Sequence, residues 1–198
     1  MNKYNPNIHH RRSIRLKGYD YSQAGLYFIT ICCQDRKYLF GEVVAANAIG
    51  SIDESGINPI TENDSYPKMV LNHFGQIAYD EWLNTTAVRN NVELGEFIIM
   101  PNHMHAIIKI TDSGGELHSP DYKSHSPKLQ GTSQTVGAIV RGYKSAVTKQ
   151  LNLLNIGCTV WQRNYYEHII RHERAYQNIS NYIINNPAKW AADKFYMA

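Results

Sequence analysis

Phe97-Ile98-Ile99-Met100-Pro101-Asn102-His103-Met104-His105-Ala106-Ile107-Ile108-Lys109-Ile110 reads as two strands joined by a tight turn. Apolar and β-branched residues fill both runs, and Pro101-Asn102 supplies the turn chemistry between them. Successive residues of a strand point to opposite faces. Met104, Ala106, Ile108 and Ile110 therefore form one clean apolar face, and His103, His105, Ile107 and Lys109 form the other. Two imidazoles stand side by side on one surface, at the start of a strand, where a sheet edge opens to a cleft.

Upstream, Leu26–Cys33 is β-branched and aromatic, as a buried strand requires. Residues 41–68 are rich in Gly, Asn, Ser, Asp and Pro and read as a long connection, with room for a short strand around Val43–Val44. From Met69 to Leu83, Val70, Phe74, Ile77, Ala78 and Trp82 recur at helical spacing. Downstream, residues 112–133 repeat Ser, Gly and Pro and read as a flexible loop. Gln134–Leu154 is helical, with Val136, Ile139, Val140, Tyr143 and Val147 inward. Trp161–Ile170 reads as a fourth strand, and His172–Asn186 as a last helix that Pro187 stops. The order strand, helix, strand, strand, helix, strand, helix predicts an α+β fold. It is the ferredoxin-like, or RRM-like, split βαβ with an extra C-terminal helix. One domain over 1–198 is expected, with a basic arm over about 1–20 and loop insertions at 41–68 and 112–133.

The composition narrows the partners without naming one. A 43% hydrophobic content supports a core, and a net charge of +3 permits a nucleic acid but does not demand one. The 14 tyrosines suit base stacking and strand positions alike. Cys32, Cys33 and Cys158 show no CxxC spacing, which disfavours a Cys-rich zinc site and a disulfide framework. The first residues are polar and basic, and no run approaches the roughly 18 apolar residues of a membrane span, so a cytoplasmic protein is expected.

Neutral imidazole binds Mn and Zn well, so the His103/His105 pair is a candidate metal site. Its plain alternative is two surface histidines on a half-exposed strand, a pattern that arises by chance in a chain with nine His. On the last helix, Ala175, Ile179, Tyr182, Ile183 and Asn186 form one stripe. Tyr182 and Asn186 are four residues apart and hence neighbours. A phenol there can attack phosphorus if a metal polarises the phosphate, and Asn186 can offer its carbonyl oxygen to that metal. The plain alternative is a packing tyrosine and a helix stop.

Several segments together resemble one family. Met100-Pro101-Asn102-His103-Met104-His105 is similar to the HUH motif of single-strand insertion-sequence transposases, and looks closest to the REP-associated tyrosine transposases. Arg12-Ser13-Ile14-Arg15-Leu16, Gly18-Tyr19-Asp20-Tyr21 and Tyr27-Phe28-Ile29-Thr30 resemble that group's N-terminal signature. Trp161-Gln162-Arg163-Asn164-Tyr165-Tyr166-Glu167-His168-Ile169-Ile170-Arg171 and Tyr182-Ile183-Ile184-Asn185-Asn186-Pro187 resemble its later segments. Each motif is modest alone; their order and co-occurrence over about residues 11–190 are specific.

The resemblance implies a central antiparallel sheet and a metal-dependent single-stranded DNA nicking and joining enzyme. His103 and His105 would bind Mg2+ or Mn2+, Asn186 would complete the site, and Tyr182 would attack the scissile phosphate. The products would be a 5′-phosphotyrosine link and a free 3′-hydroxyl, reversed on joining. Hairpin DNA is the implied partner, bound by a monomer or homodimer in the nucleoid. His168 would sit beside the site. Arg11, Arg12, Arg15, Lys144 and Arg163 are candidate DNA contacts. Tyr165 and Tyr166 are competing nucleophiles, ranked below Tyr182 because the family's nucleophile lies on the final helix.

Two other classes compete with this reading. A non-catalytic single-stranded nucleic-acid binder of RRM-like fold would bind in a salt-sensitive way without cleavage. A metal hydrolase using water would need an acidic base near the histidines, and the acids nearest in sequence, Glu96 and Asp112, are not obviously placed for it.

Overall fold

The computed structural model of the protein describes residues 20–21, 23–45, 66–111 and 135–196. Strand β1 is Gly25–Cys32, β2 Gly41–Val44 and β3 Lys68–Leu71. Helix α1 (His73–Leu83) leads to the hairpin of β4 (Val92–Met100) and β5 (His103–Ile110). Helix α2 (Val136–Leu153), strand β6 (Tyr166–Ile170) and helix α3 (Glu173–Ile184) follow. A 3-10 turn over Pro187–Ala192 comes last. The main sheet has the order β4-β5-β1-β6, and every neighbouring pair is antiparallel. This is the expected α+β architecture with its central antiparallel sheet.

Most elements lie within two residues of the sequence reading at either end, and the larger differences have physical causes. The helix placed from Met69 begins at His73, because Lys68–Leu71 pair antiparallel with Gly41–Val44 instead. Asn72 ends that strand and starts the helix. Its side chain accepts from Gly75 N at 2.9 Å and donates to the Leu39 carbonyl at 2.9 Å. Gly75 is required there, since a Cβ would collide with the Phe40 carbonyl. The connection over 41–68 thus holds a strand at each end, and residues 46–65 lie outside the described residues. The strand placed from Trp161 starts only at Tyr166: Trp161 makes an isolated bridge to Cys33. Strand β4 begins at Val92, earlier than Phe97, with a register shift between Leu94 and Phe97. The basic arm and the insertion at 112–133 fall outside the described residues, apart from Asp20.

Both faces of the sheet are covered. Helices α1 and α2 close one face over Tyr27, Ile29, Ile31, Met104, Ala106, Ile108 and Ile110, with Trp82, Ile139, Tyr143 and Leu151 filling the layer. This confirms the apolar face read from β5. Helix α3 closes the other face over a smaller core of Phe28, Ile107, Ile170 and Ile183. Burying one such side chain contributes about 1.5–3 kcal/mol, so the first core carries most of the stability. The second core chiefly fixes where α3 lies. Two hydrogen bonds pin the helix further: Tyr176 Oη and Ser180 Oγ, one turn apart, donate to Glu96 Oε2 at 2.9 and 3.0 Å. Glu96 is therefore committed to holding α3. Among the described residues no helix is long and apolar enough to cross a membrane.

Candidate active site

The histidine face of β5 is not a surface. His103 and His105 are 0% and 1% exposed, which removes the reading of two solvated histidines. Phe195 and Trp190, just past α3, cover His103 with ring centroids at 4.3 and 5.9 Å. Phe28 stacks on His105 at 5.4 Å. The turn before the pair is also interior and tied down. The Pro101 carbonyl accepts from Leu39 N and Phe40 N, and the Asn102 carbonyl from Cys33 N.

Each imidazole is oriented by a polar partner. Asn102 Nδ2 donates to the carbonyls of Arg36 and Phe195 at 3.2 and 2.8 Å, so its Oδ1 is the atom facing His103 Nδ1 at 2.8 Å. An acceptor there fixes the proton on His103 Nδ1 and leaves a lone pair on Nε2. That lone pair faces His105 Nε2 at 3.1 Å, and His105 Nδ1 lies 2.8 Å from Thr30 Oγ1. If Thr30 donates, His105 Nε2–H bonds to His103. If His105 Nδ1 donates, two lone pairs converge, an arrangement that a cation stabilises. Asn186 Oδ1 is buried and has no hydrogen-bond partner. An orphaned carbonyl oxygen in the same site as two neutral imidazoles fits a divalent cation, for which all three are ordinary donors. Among the described residues no three His, Cys, Asp or Glu side chains group around a metal position, so the candidate set is two imidazoles and an amide.

Burial keeps the imidazoles neutral. The His103 pKa is pushed down to about 3 by burial, then by Lys194 and Arg36; that of His105 lies well below 6.5 from burial and from His103. A depressed histidine binds its proton in the unfolded chain first. Its stabilising contribution is full above the unfolded pKa of about 6.5 and is lost as pH falls toward the folded value. In metal-free buffer, stability should fall from pH 6.5 toward pH 5 with a slope approaching ~1.4 kcal/mol per pH unit for each histidine. Urea unfolding at half-unit pH steps measures this, and His103→Gln should remove its share of the slope.

Tyr182 closes the arrangement. Its Oη lies 3.0 Å from His105 Nε2 and 3.4 Å from Asp193 Oδ2, with its ring 5.0 Å from the His105 ring. Burial and then the Asp193 carboxylate push its pKa up to about 12. Asn186 Nδ2 lies 3.4 Å from the same Asp193 oxygen, which turns its Oδ1 away from that carboxylate. Tyr182 and Asn186 share a cleft of about 520 Å3 with His105, Thr30, Phe28, Tyr166, Lys189, Asp193 and Lys194.

The other expected residues divide. His168 sits on β6 opposite Phe28, on the site's face of the sheet but exposed and not lining the cleft. Tyr165 donates to Glu167 Oε2 at 2.8 Å and packs toward the α1/α2 core, away from the histidines. Tyr166 lines the cleft. Lys144 and Arg163 line a different groove with Thr148 and Asn152. The Lys144 ammonium is occupied by the Gln162 and Asn164 carbonyls at 2.8 and 2.9 Å, and burial lowers its pKa to about 8. Arg11, Arg12 and Arg15 lie outside the described residues. Sequence reading missed Thr30, Asp193, Lys189 and Lys194, and treated Asn102 only as a turn residue. Thr30 had a faint signal, an alternating strand position with Phe28; Asp193 had none.

No family model matches the chain. A REP-associated tyrosine transposase, solved bound to a REP hairpin, has a similar structure at 18% identity. The match covers 91% of this chain and 77% of that one, with a TM-score of 0.51. At that identity the likeness shows the fold. An uncharacterized protein of Haemophilus influenzae is 41% identical over 197 residues, 98% of either chain. At this identity over nearly the whole of both, the chain belongs to the same family as that Haemophilus influenzae protein.

Proposed function

We propose that the protein is a REP-associated tyrosine transposase, a metal-dependent enzyme that nicks and rejoins single-stranded DNA beside a hairpin. The observation that carries this reading is the line His103 Nε2, His105 Nε2, Tyr182 Oη, with successive distances of 3.1 and 3.0 Å. A fold shared with a hairpin-bound transposase supports it. So does the order of motifs along the chain.

In this reading His103 Nε2, His105 Nε2 and Asn186 Oδ1 would hold Mg2+ or Mn2+, which would supply polarisation of the scissile phosphate. Tyr182 Oη attacks phosphorus, the bond to the 3′-oxygen breaks, and that oxygen leaves with a proton from water. The phenol proton passes to Asp193 Oδ2, the carboxylate facing it. The phosphotyrosine retains the phosphodiester energy, so a 3′-hydroxyl can reverse the step without ATP. Tyr182 and the histidines meet within one chain, which favours a site that a monomer can operate.

The test is incubation with a DNA hairpin and its single-stranded flank from the protein's own genomic surroundings, with Mn2+ or with EDTA. A denaturing gel should show a protein–DNA adduct only with the metal. Salt-sensitive binding without any adduct would overturn the reading in favour of a non-catalytic nucleic-acid binder.

A further inference from the structure

The cleft beside Tyr182 has an aromatic wall that the nicking chemistry does not use. Tyr166 opens β6, the outer strand of the main sheet, and its side chain is 47% exposed. It pairs with Thr30, which on its other side pairs with His105. All three therefore project from one face, with Tyr166 two strand spacings, about 10 Å, from His105. Phe28 serves as a common pedestal. It meets Tyr166 edge-on at 6.2 Å and 68°, and Tyr182 edge-on at 6.3 Å and 81°. The ring is thus braced on one side and open to the cleft on the other. Lys189 and Lys194, both exposed, line the same cleft.

An exposed aromatic braced in a groove that also carries cations is the arrangement that binds single strands. The ring takes a base by stacking, tolerant of sequence, while the cations follow the phosphates. We propose that Tyr166 is a stacking platform for one unpaired base of the DNA strand, with Lys189 and Lys194 holding phosphates that flank it. This rests on the nicking reading and adds to it a base-binding position beside the attacked phosphate. A phosphate in contact with Tyr182 Oη lies beside His105, 3.0 Å from that phenol, and so leaves the neighbouring nucleosides within reach of a ring two strand spacings, about 10 Å, from His105. Tyr166 then binds the strand and does not attack it.

Fluorescence anisotropy in EDTA, which prevents any cleavage, tests the proposal. The probes are labelled dodecamers, one of deoxythymidine and one abasic, with the same number of phosphates. The wild-type protein should prefer the thymidine strand by about tenfold, within the range of base–aromatic stacking. Tyr166→Ala should erase most of that preference, and Tyr166→Phe should keep it. Tyr166→Thr, which suits a strand position but lacks a ring, should behave as the alanine variant does. A preference that survives in the alanine and threonine variants overturns the platform, as does a wild-type protein that never discriminates. If these variants keep the preference while the wild-type protein still forms a metal-dependent adduct, the platform fails and the nicking reading stands. If the protein binds neither probe and forms no adduct, both fail.

Discussion

Tyr182→Phe protein is expected to form no covalent adduct with hairpin DNA, a loss on the order of 10^6 in rate, as when other covalent nucleophiles are deleted. The substitution removes one oxygen and leaves the ring. The contacts at 5.0 Å to His105 and 6.3 Å to Phe28 therefore remain, and α3 keeps its seat on Ile107, Phe28 and Ile170. The cost to stability is that of one hydrogen bond, about 1 kcal/mol, too little to unfold a domain. A melting temperature near the wild-type value together with a vanished adduct would therefore locate the nucleophile. Undiminished adduct formation would transfer the role elsewhere, and peptide mapping of the adduct would then separate Tyr165 from Tyr166. Tyr165 is bonded to Glu167 against the α1/α2 core, while Tyr182 Oη lies 3.0 Å from His105 Nε2.

His105→Ala is expected to slow adduct formation by about 10^2–10^3, the usual cost of removing one group that stabilises developing charge. His105 is the hinge of the arrangement, because its Nε2 is shared between His103 and Tyr182 and its Nδ1 meets Thr30. Mn2+ binding, followed by electron paramagnetic resonance on the protein without DNA, should weaken in parallel. The two readouts separate two roles. If affinity for Mn2+ is unchanged while the rate falls, His105 positions the phenol and holds no metal. If neither changes, the histidine pair is structural and the proposed chemistry is wrong. Thr30→Val should follow the same direction with a smaller effect, since it removes the partner that orients the ring and not the ring itself.

Local patterns made much of this fold legible. Alternation over His103–Ile110 placed Met104, Ala106, Ile108 and Ile110 in the core, where they are. Helical spacing over Ala175–Ile183 identified the stripe that α3 lays on the sheet. Misreadings arose where a local signal had two solutions. Met69–Leu71 carries apolar residues that suit a helix or a strand, and pairing with β2 decided for the strand. Trp161 lies in an aromatic, strand-like run, yet the chain there makes only one bridge before Tyr166.

The sequence by itself determined the order of the four main-sheet strands and the three helices, the common face of His103 and His105, and the neighbourhood of Tyr182 and Asn186. Those are consequences of periods of two and of 3.6 residues, which need only a few adjacent positions. Tertiary structure alone decided that the histidines are buried and neutral, that Thr30 and Asn102 orient them, and that Tyr182 rather than Tyr166 reaches them. It also decided that Asp193 faces the phenol. The contacts responsible join residues far apart in the chain: 75 positions separate Thr30 from His105, 77 separate His105 from Tyr182, and 93 separate Asn102 from Phe195. No local periodicity encodes such separations. They follow from the register of β1 between β5 and β6, from the small second core that sets α3, and from the packing of Trp190 and Phe195 on Met100 that sets the turn after it over the histidine face.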